Sequence, residues 1–467
     1  MRPEMEGIWS RRWRRLALAA GPLAGALLGS LALSGGLAWP AAATAAVTGW
    51  CAVWWLTEAL PIPVTALLPV ALLPLAGALT PSQVAESYGS PLILLMLGGF
   101  MLSGALARCG AHRRIALAMI RACAAFGRRG LVLGFMLAAA LLSMWISNTA
   151  TSLMLLPVAL AVLEDERLKA LTVPLLLGMA YAASTGGVGT PIGTPPNLIY
   201  MQVVSDQFGI QTSFPLWMGW ALPIVALMLP LMFLWLTRRV EGGPLPQLDA
   251  AGPWSTAERR VISLFVLIAL AWMTRTAPLG GWQTWLGLPY ANDAAIALLG
   301  VIALSAFPDG RGGRLLDWET AADIPWGVLL LFAGGITIAR GFVETGLSDS
   351  LAAHLTVLAG LPTWLMVLVI CLGVTFLTEI TSNTATTSLL MPVLAATATA
   401  ADMRPEVLMV PAAISASCAF MLPVATAPNA VVYGSGKVGI RTMAAEGLVM
   451  NFIGAVVISL VVTLRFG

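Results

Sequence analysis

The pentapeptide Ser-Asn-Thr-Ala-Thr occurs twice in this chain, beginning at Ser147 and at Ser382. Both copies lie inside long apolar stretches, where polar groups are costly and usually serve a function. The hydroxyl and amide oxygens of Ser, Asn and Thr can coordinate a hard monovalent cation. Where a helix is broken at such a motif, the N–H groups that begin the next half-helix can meet an anion. One short motif can therefore hold a cation and an anion side by side.

The repetition of the motif favours a binding site over simple helix packing. Ser and Thr in membrane helices commonly bond to their own backbone, so one copy alone would favour a structural role. Here each copy is followed at the same spacing by a Pro-Val pair, which begins at Pro157 or Pro392. Two matched copies indicate one polar site built from two copies of one unit.

Each motif is followed by an apolar segment that proline interrupts. The first interruption runs from Gly186 to Asn197, and the second from Pro423 to Asn429. Proline removes a backbone donor and clashes with the preceding turn, so both segments are predicted to unwind in mid-membrane. Matched breaks of this kind are the best pointer in a transporter sequence to a central binding site.

The composition places this site in a lipid bilayer. Hydrophobic residues make up 58% of the 467 residues and charged residues only 10%, unlike soluble domains. Apolar runs of spanning length recur without the alternation of a β-barrel, so we predict an all-α polytopic membrane protein. The net charge of +3 is too small to indicate a nucleic-acid partner. No His-Glu-x-x-His or Gly-x-Ser-x-Gly motif indicates an enzyme, and a channel or an intramembrane enzyme is the weaker alternative.

About eleven transmembrane helices and two re-entrant helical hairpins are predicted from the apolar segments. The hairpins are 130–162 and 360–398, because each stretch is too long for one span and has a polar Ser-Asn-Thr centre. The predicted spans are 16–36, 40–60, 64–80, 90–108, 172–202, 215–237, 260–275, 291–307, 326–341, 407–433 and 445–465.

The two halves of the chain correspond in order and spacing. The glycine pairs that begin at Gly98 and Gly334, the two motifs, and then Asn197 and Asn429 recur at a nearly constant offset. Each predicted repeat holds an odd number of crossings, so the second repeat must be inverted relative to the first. The predicted units are an N-terminal helix 1–40, a first repeat 41–240, a cytoplasmic linker 241–259 and a second repeat 260–467.

Basic residues predict the orientation in the membrane. They cluster around the first hairpin, between Arg108 and Lys169, whereas the flanks of the second offer only Arg340 and Arg404. The first hairpin is therefore predicted to enter from the cytoplasm and the second from outside. The arginine-rich start of the chain places the N-terminus in the cytoplasm, and the predicted spans place the C-terminus outside.

Four ionisable residues within or near the apolar segments are predicted to have structural rather than transport roles. Glu379 precedes the second motif, but the matching position in the first repeat is the uncharged Met144, so Glu379 is predicted to brace the hairpin. Glu58, Arg275 and Lys437 lie near predicted span ends and are predicted to be interfacial.

These motifs resemble those of a known family. The paired Ser-Asn-Thr motifs, the Gly-Thr-Pro-Pro-Asn segment ending at Asn197 and the stretch from Ser417 to Val432 are similar to the divalent anion:sodium symporters. The resemblance covers nearly the whole chain after about residue 45. It implies sodium-coupled uptake of C4-dicarboxylates, such as succinate, malate and fumarate, across a bacterial inner (plasma) membrane. It also implies a homodimer in which a transport domain moves as an elevator against a scaffold domain.

The resemblance also implies which residues bind the ions and the substrate. One sodium ion would be bound by Ser143, Ser147, Asn148 and the backbone of Gly193. A second would be bound by Thr378, Thr381, Ser382, Asn383 and the backbone of Ala425. The substrate carboxylates would meet Asn148, Thr149, Thr194, Asn383, Thr384 and Thr426.

The absence of basic residues from the motifs predicts coupling to cations. A doubly charged anion at the bilayer midplane would otherwise be an unpaired buried charge, which is strongly unfavourable. Bound sodium ions can supply the countercharge and organise the hairpin tips before the anion arrives. The alternatives within the same fold are a sodium-independent dicarboxylate exchanger and a sodium-coupled citrate or sulfate transporter.

Overall fold

A computed structural model describes residues 3–243, 245, 252–277, 280–348, 350 and 362–467. Within these ranges the chain is helical except for turns, loops and one isolated bridge between Pro308 and Arg314. The all-α prediction is therefore confirmed for the described residues. Parts of the predicted linker (244 and 246–251), the start of the second predicted hairpin (360–361) and residues 1–2 lie outside them.

The helices of the first half run from the N-terminus to the start of the linker. They are α1 (Pro3–Ser34), α2 (Trp39–Thr57), α3 (Ile62–Thr65), α4 (Leu67–Leu75), α5 (Pro81–Tyr88), α6 (Pro91–Cys109), α7 (Ala111–Ala124), α8 (Gly127–Ser143), α9 (Asn148–Val162), a 3-10 helix (Glu166–Leu171), α10 (Thr172–Gly187), α11 (Pro195–Phe208) and α12 (Phe214–Leu236). The region predicted as one span, 64–80, is instead divided among α3, α4 and a turn. Pro63, Pro69 and Pro74 each remove a backbone donor there.

The helices of the second half repeat much of this order. They are α13 (Thr256–Thr274), α14 (Gly281–Trp285), α15 (Asp293–Ala306), α16 (Trp318–Ala322), α17 (Trp326–Glu344), α18 (Thr363–Thr378), α19 (Asn383–Ala400), α20 (Pro405–Ala416), α21 (Ala427–Gly434) and α22 (Ile440–Phe466). An ion pair joins the end of α13 to the start of α15 in this half. Arg275 lies 2.6 Å from the buried Asp293, and Lys437 lies exposed in a turn.

Six segments in the described part of the chain are long and apolar enough to cross a membrane. They are Arg15–Ser34, Pro81–Cys109, Glu166–Gly187, Phe214–Leu236, Trp318–Glu344 and Ile440–Phe466. Five shorter apolar segments are Ile62–Leu75, Asn148–Val162, Asp293–Ala306, Thr363–Thr378 and Pro405–Ala416. These segments agree with a multi-pass membrane protein, whereas the number of eleven crossings stays a prediction.

Both predicted hairpins are pairs of helices joined by a short turn. In the first hairpin, α8 ends at Ser143 and α9 begins at Asn148; in the second, α18 ends at Thr378 and α19 begins at Asn383. Each Ser-Asn-Thr motif therefore lies where a helix begins anew. We call the turn and the first helical turn after it the first tip and the second tip.

Both predicted interruptions are also present. The first break separates α10 from α11 at residues 188–194, and the second separates α20 from α21 at residues 417–426. Helix α10 packs closely on the first hairpin, since a Cβ atom on Gly186 would lie 2.3 Å from the carbonyl oxygen of Ala140. Such close approach of helices through glycine is typical of membrane bundles, and it brings the first break against the first tip.

Candidate functional site

The two tips and the two breaks surround one cavity of about 600 Å³. All six residues predicted to bind the substrate line this cavity: Asn148, Thr149, Thr194, Asn383, Thr384 and Thr426. Of the residues predicted to bind sodium, Ser147, Gly193, Thr381, Ser382 and Ala425 line it as well. The structure thus brings together residues that are separated by more than half of the chain.

Ser143 is buried behind the cavity wall, where its side chain contacts the first tip. Its hydroxyl group donates a short hydrogen bond to Oδ1 of Asn148, while the hydroxyl oxygen of Ser147 accepts from the N–H group of Ala150. The side chain of Asn148 also packs on the first break. A Cβ atom on Gly187 would lie 2.6 Å from Oδ1 of Asn148, and one on Gly193 would lie 2.3 Å from the carbonyl oxygen of Gly187. Only glycine leaves room for this contact.

The second tip repeats this arrangement with threonine in place of serine. The hydroxyl of Thr378 lies 2.8 Å from Oδ1 of Asn383 and 3.2 Å from the carbonyl oxygen of Ala416, at the end of α20. Ser382 makes no hydrogen bond that caps α19. The hydroxyl of Thr381 instead bonds to the hydroxyl of Thr386 at 2.6 Å and to a backbone carbonyl. Thr381 and Thr378 therefore each have two hydrogen-bond partners within the protein.

Each break is held by an asparagine whose role the sequence did not reveal. The amide nitrogen of Asn197 donates to three backbone carbonyls of the first break, the shortest bond being 2.8 Å to Thr190. Asn429 donates to the carbonyls of Ala419 and Leu422 in the second break, at 3.5 and 3.0 Å. Both side chains are fully buried. They satisfy carbonyls that unwinding would leave unpaired in an apolar environment.

The two breaks also contact each other. The hydroxyl of Thr194, in the first break, lies 3.3 Å from the hydroxyl of Ser417, in the second. Thr426 caps α21, because its hydroxyl oxygen accepts a hydrogen bond of 3.3 Å from the N–H group of Asn429. The two unwound segments are therefore in direct contact through the hydroxyls of Thr194 and Ser417.

Glu379 connects the second tip to the second break through hydrogen bonds, in agreement with the prediction that this carboxylate braces the hairpin. Its carboxylate accepts hydrogen bonds from the N–H groups of Phe420, Met421 and Leu422 at 2.8 to 2.9 Å. The side-chain amide of Asn451 donates to the same carboxylate at 2.7 Å. Glu379 is only 3% exposed. Four donors of this kind stabilise a buried carboxylate without a cationic partner.

The cavity contains no lysine or arginine among its described lining residues. The N-termini of α9 and α19 both begin at its wall, so their free N–H groups offer a partial positive charge to an anion. Glu58, which was predicted to be interfacial, lines this cavity and is the single ionisable residue among the described residues that do so. Cations bound near the tips would supply the countercharge that the side chains of this cavity do not give to a dianion.

Comparison with known proteins gives matches to transporters. A protein-family model described as citrate transporter matches residues 52–407. The sodium-dependent dicarboxylate transporter SdcS of Staphylococcus aureus strain USA300 is 38% identical over 97% of this chain and 93% of its own length. The SdcS protein of Staphylococcus aureus strain bovine RF122 / ET3-1 has the same identity and coverage.

Two solved structures share the fold at low sequence identity. The YdaH transporter of Alcanivorax borkumensis has a TM-score of 0.60 at 15% identity and covers 82% of this chain and 87% of its own. The MtrF protein of Neisseria gonorrhoeae has a TM-score of 0.57 at 14% identity and covers 82% of this chain and 83% of its own. These likenesses show a transporter fold.

Proposed function

Because this chain belongs to the citrate transporter family, and to the divalent anion:sodium symporters by its identity with SdcS, we propose that it couples sodium influx to dicarboxylate uptake. The substrates are C4-dicarboxylates such as succinate, malate and fumarate. One observation carries the proposal: two Ser-Asn-Thr tips and two unwound segments surround one cavity that has no basic side chain. In such a cavity a dianion needs cations beside it.

The first sodium ion binds at the first tip and first break. Its ligands are the oxygens of Ser143, Ser147 and Asn148 and the backbone of Gly193. The close packing of Asn148, Gly187 and Gly193 supports this assignment, because it brings the amide oxygen and the unwound backbone within reach of one ion. Hydroxyl, amide and carbonyl oxygens are suitable ligands for a hard cation.

The second sodium ion binds at the second tip and second break. Its ligands are Thr378, Thr381, Ser382, Asn383 and the backbone of Ala425. The hydrogen bond between Thr378 and Asn383 repeats the one between Ser143 and Asn148, which supports two equivalent ion sites. Each sodium ion therefore orders one tip.

The dicarboxylate binds between the ordered tips. One carboxylate meets Asn148, Thr149 and Thr194, and the other meets Asn383, Thr384 and Thr426. Both asparagines serve an ion and a carboxylate at once, so sodium binding prepares the substrate site. Sodium consequently binds before the substrate.

The proposed architecture is a pair of inverted repeats with about eleven crossings and two re-entrant hairpins. The protein works as a homodimer in the bacterial inner membrane, with its N-terminus in the cytoplasm and its C-terminus outside. The site moves as part of a transport domain against a scaffold, in an elevator mechanism. The matched hydrogen bonds of Asn197 and Asn429 support the repeat, and the basic cluster around the first hairpin supports the orientation.

The function is tested by uptake into proteoliposomes. We expect inward-directed sodium gradients to drive uptake of radiolabelled succinate at least tenfold above a choline control, with citrate and sulfate moved slowly. Succinate counterflow without sodium at the same rate would identify an exchanger instead. Uptake of citrate or sulfate in preference to succinate would leave the ion sites in place but contradict the assigned substrate.

A further inference from the structure

Glu58 occupies an unusual position at the end of α2. It has φ 48° and ψ 38°, which is the left-handed region, and it is one of two described non-glycine residues with positive φ. Glutamate has no special tolerance for this conformation, unlike glycine or asparagine. Backbone strain of this kind is often retained where it places a side chain for function.

The strained backbone places Glu58 on the wall of the transport cavity. It is the single ionisable residue among the described residues that line the cavity, and no described residue forms an ion pair with it. A carboxylate without a cationic partner repels dianions and attracts cations. Its presence beside a dicarboxylate site therefore requires an explanation other than substrate binding.

The end of α2 adds to this negative charge. Helix α2 ends at Thr57, directly before Glu58, and the last carbonyl groups of a helix carry a partial negative charge. The opposite sign is found on the tips, where α9 and α19 present their N-termini to the same cavity. The cavity thus has one wall that favours cations and two tips that favour an anion.

Helix α2, at whose end Glu58 lies, packs against the second hairpin. Trp55, one turn earlier on α2, belongs to the same buried cluster as Ala385, in the first turn of α19. Residues Thr381 to Thr384 of the second tip line the cavity together with Glu58. A cation attracted by Glu58 therefore enters the cavity that holds the second tip, at the end of a helix that packs against the second hairpin.

We propose that Glu58 recruits sodium into the cavity and holds a cation near the second tip before the dicarboxylate binds. This inference rests on the proposed function, which it deepens by naming the group that sets the order of binding. In the empty cavity the carboxylate concentrates sodium and disfavours the dianion. Once sodium occupies the tips, their added positive charge outweighs the repulsion from Glu58 and the dianion enters.

The substitution Glu58→Gln tests this role, because it removes the charge and keeps the size of the side chain. We expect the sodium concentration for half-maximal succinate uptake to rise about three- to tenfold, as for loss of one nearby charge in a solvated site. The maximal rate at saturating sodium should stay within about twofold of the wild type. The succinate KM at saturating sodium should stay equal or fall, since a repulsive charge is gone.

Further variants separate charge from backbone strain. Glu58→Gly relieves the left-handed strain and removes the charge, so it should show the same sodium shift as Glu58→Gln. Glu58→Asp keeps the charge and should stay closer to the wild type. Glu319→Gln, in the exposed first turn of α16, changes the net charge equally away from the cavity and should have no effect. Added choline chloride should reduce the difference between wild type and Glu58→Gln.

Sodium binding is measured separately from transport through thermal unfolding of the purified protein. Sodium should raise the Tm of the wild type at lower concentrations than that of Glu58→Gln. Equal sodium dependence in both, in unfolding and in uptake, would overturn the role of Glu58. A higher succinate KM with unchanged sodium dependence would also overturn it, because it would make Glu58 a substrate-positioning group. If the wild type shows no sodium-driven uptake, the proposed function fails, while the unfolding comparison still decides on Glu58.

Discussion

Replacing either Asn148 or Asn383 by alanine should lower sodium-dependent succinate uptake, measured as kcat/KM, about 100-fold or more. In the proposed site each amide contacts an ion and a substrate carboxylate, and each amide oxygen accepts a hydrogen bond from a hydroxyl, of Ser143 or Thr378. Hydrogen bonds to charged groups contribute about 1.5–3 kcal/mol each, and about 1.4 kcal/mol corresponds to a factor of ten. Loss of two such contacts therefore accounts for the expected decrease.

The controls for this prediction lie elsewhere in the chain. Asn292→Ala removes a half-buried asparagine that caps α15, far in sequence from both tips, and should reduce uptake less than threefold once expression is matched. Ser143→Ala and Thr378→Ala each remove one proposed sodium ligand and its hydrogen bond to the asparagine, and should have intermediate effects of about tenfold. Uptake within threefold of the wild type in both asparagine variants would exclude the tips as the binding site.

The second large effect is expected from Glu379, whose replacement by alanine should destabilise the folded protein by about 3–5 kcal/mol. The substitution leaves the N–H groups of Phe420, Met421 and Leu422 and the amide of Asn451 without their acceptor. These groups hold the second break, which contains Ala425, a proposed ligand of the second sodium ion. We expect a lower Tm in detergent, and a loss of the additional stability that sodium confers.

Glu379→Gln separates the charge of this carboxylate from its shape. Both oxygens of Glu379 accept hydrogen bonds, so a glutamine must direct its NH2 group at another donor. It should therefore also lose much of the sodium stabilisation, whereas Glu164→Gln, on the exposed surface, should behave as the wild type. A wild-type Tm and sodium response in Glu379→Ala would show that the second break does not depend on this carboxylate.

Much of the site follows from local features of the sequence. A repeated polar pentapeptide in an apolar segment indicates that a helix ends and a new one begins there. Both hairpin turns occur where Ser147 and Ser382 predict them. Glycine and proline likewise predict the interruptions between α10 and α11 and between α20 and α21. These are properties of the backbone itself, since proline lacks a donor and small residues allow close approach.

The features that sequence reasoning missed depend on contacts between distant segments. Asn197 and Asn429 appeared only as matched positions, because nothing local shows that their amides satisfy the carbonyls of the breaks. Arg275 was predicted to be interfacial, and its ion pair with the buried Asp293 was not foreseen, because a span end and an ion pair have the same local sequence. The position of Glu58 on the cavity wall was not foreseen for a related reason. Its left-handed backbone turns the chain, and helical periodicity does not predict that turn.

Sodium is expected to bind before the dicarboxylate and to prepare its site. Equilibrium binding of succinate to the purified protein tests this dependence on sodium most directly. Radiolabelled succinate binding is measured in sodium chloride and in choline chloride at the same ionic strength. We expect an affinity at least 100-fold higher in sodium, because ions at both tips must supply the charge that the cavity lacks. Equal affinity in the two salts would contradict the claim that sodium prepares the site for the dianion.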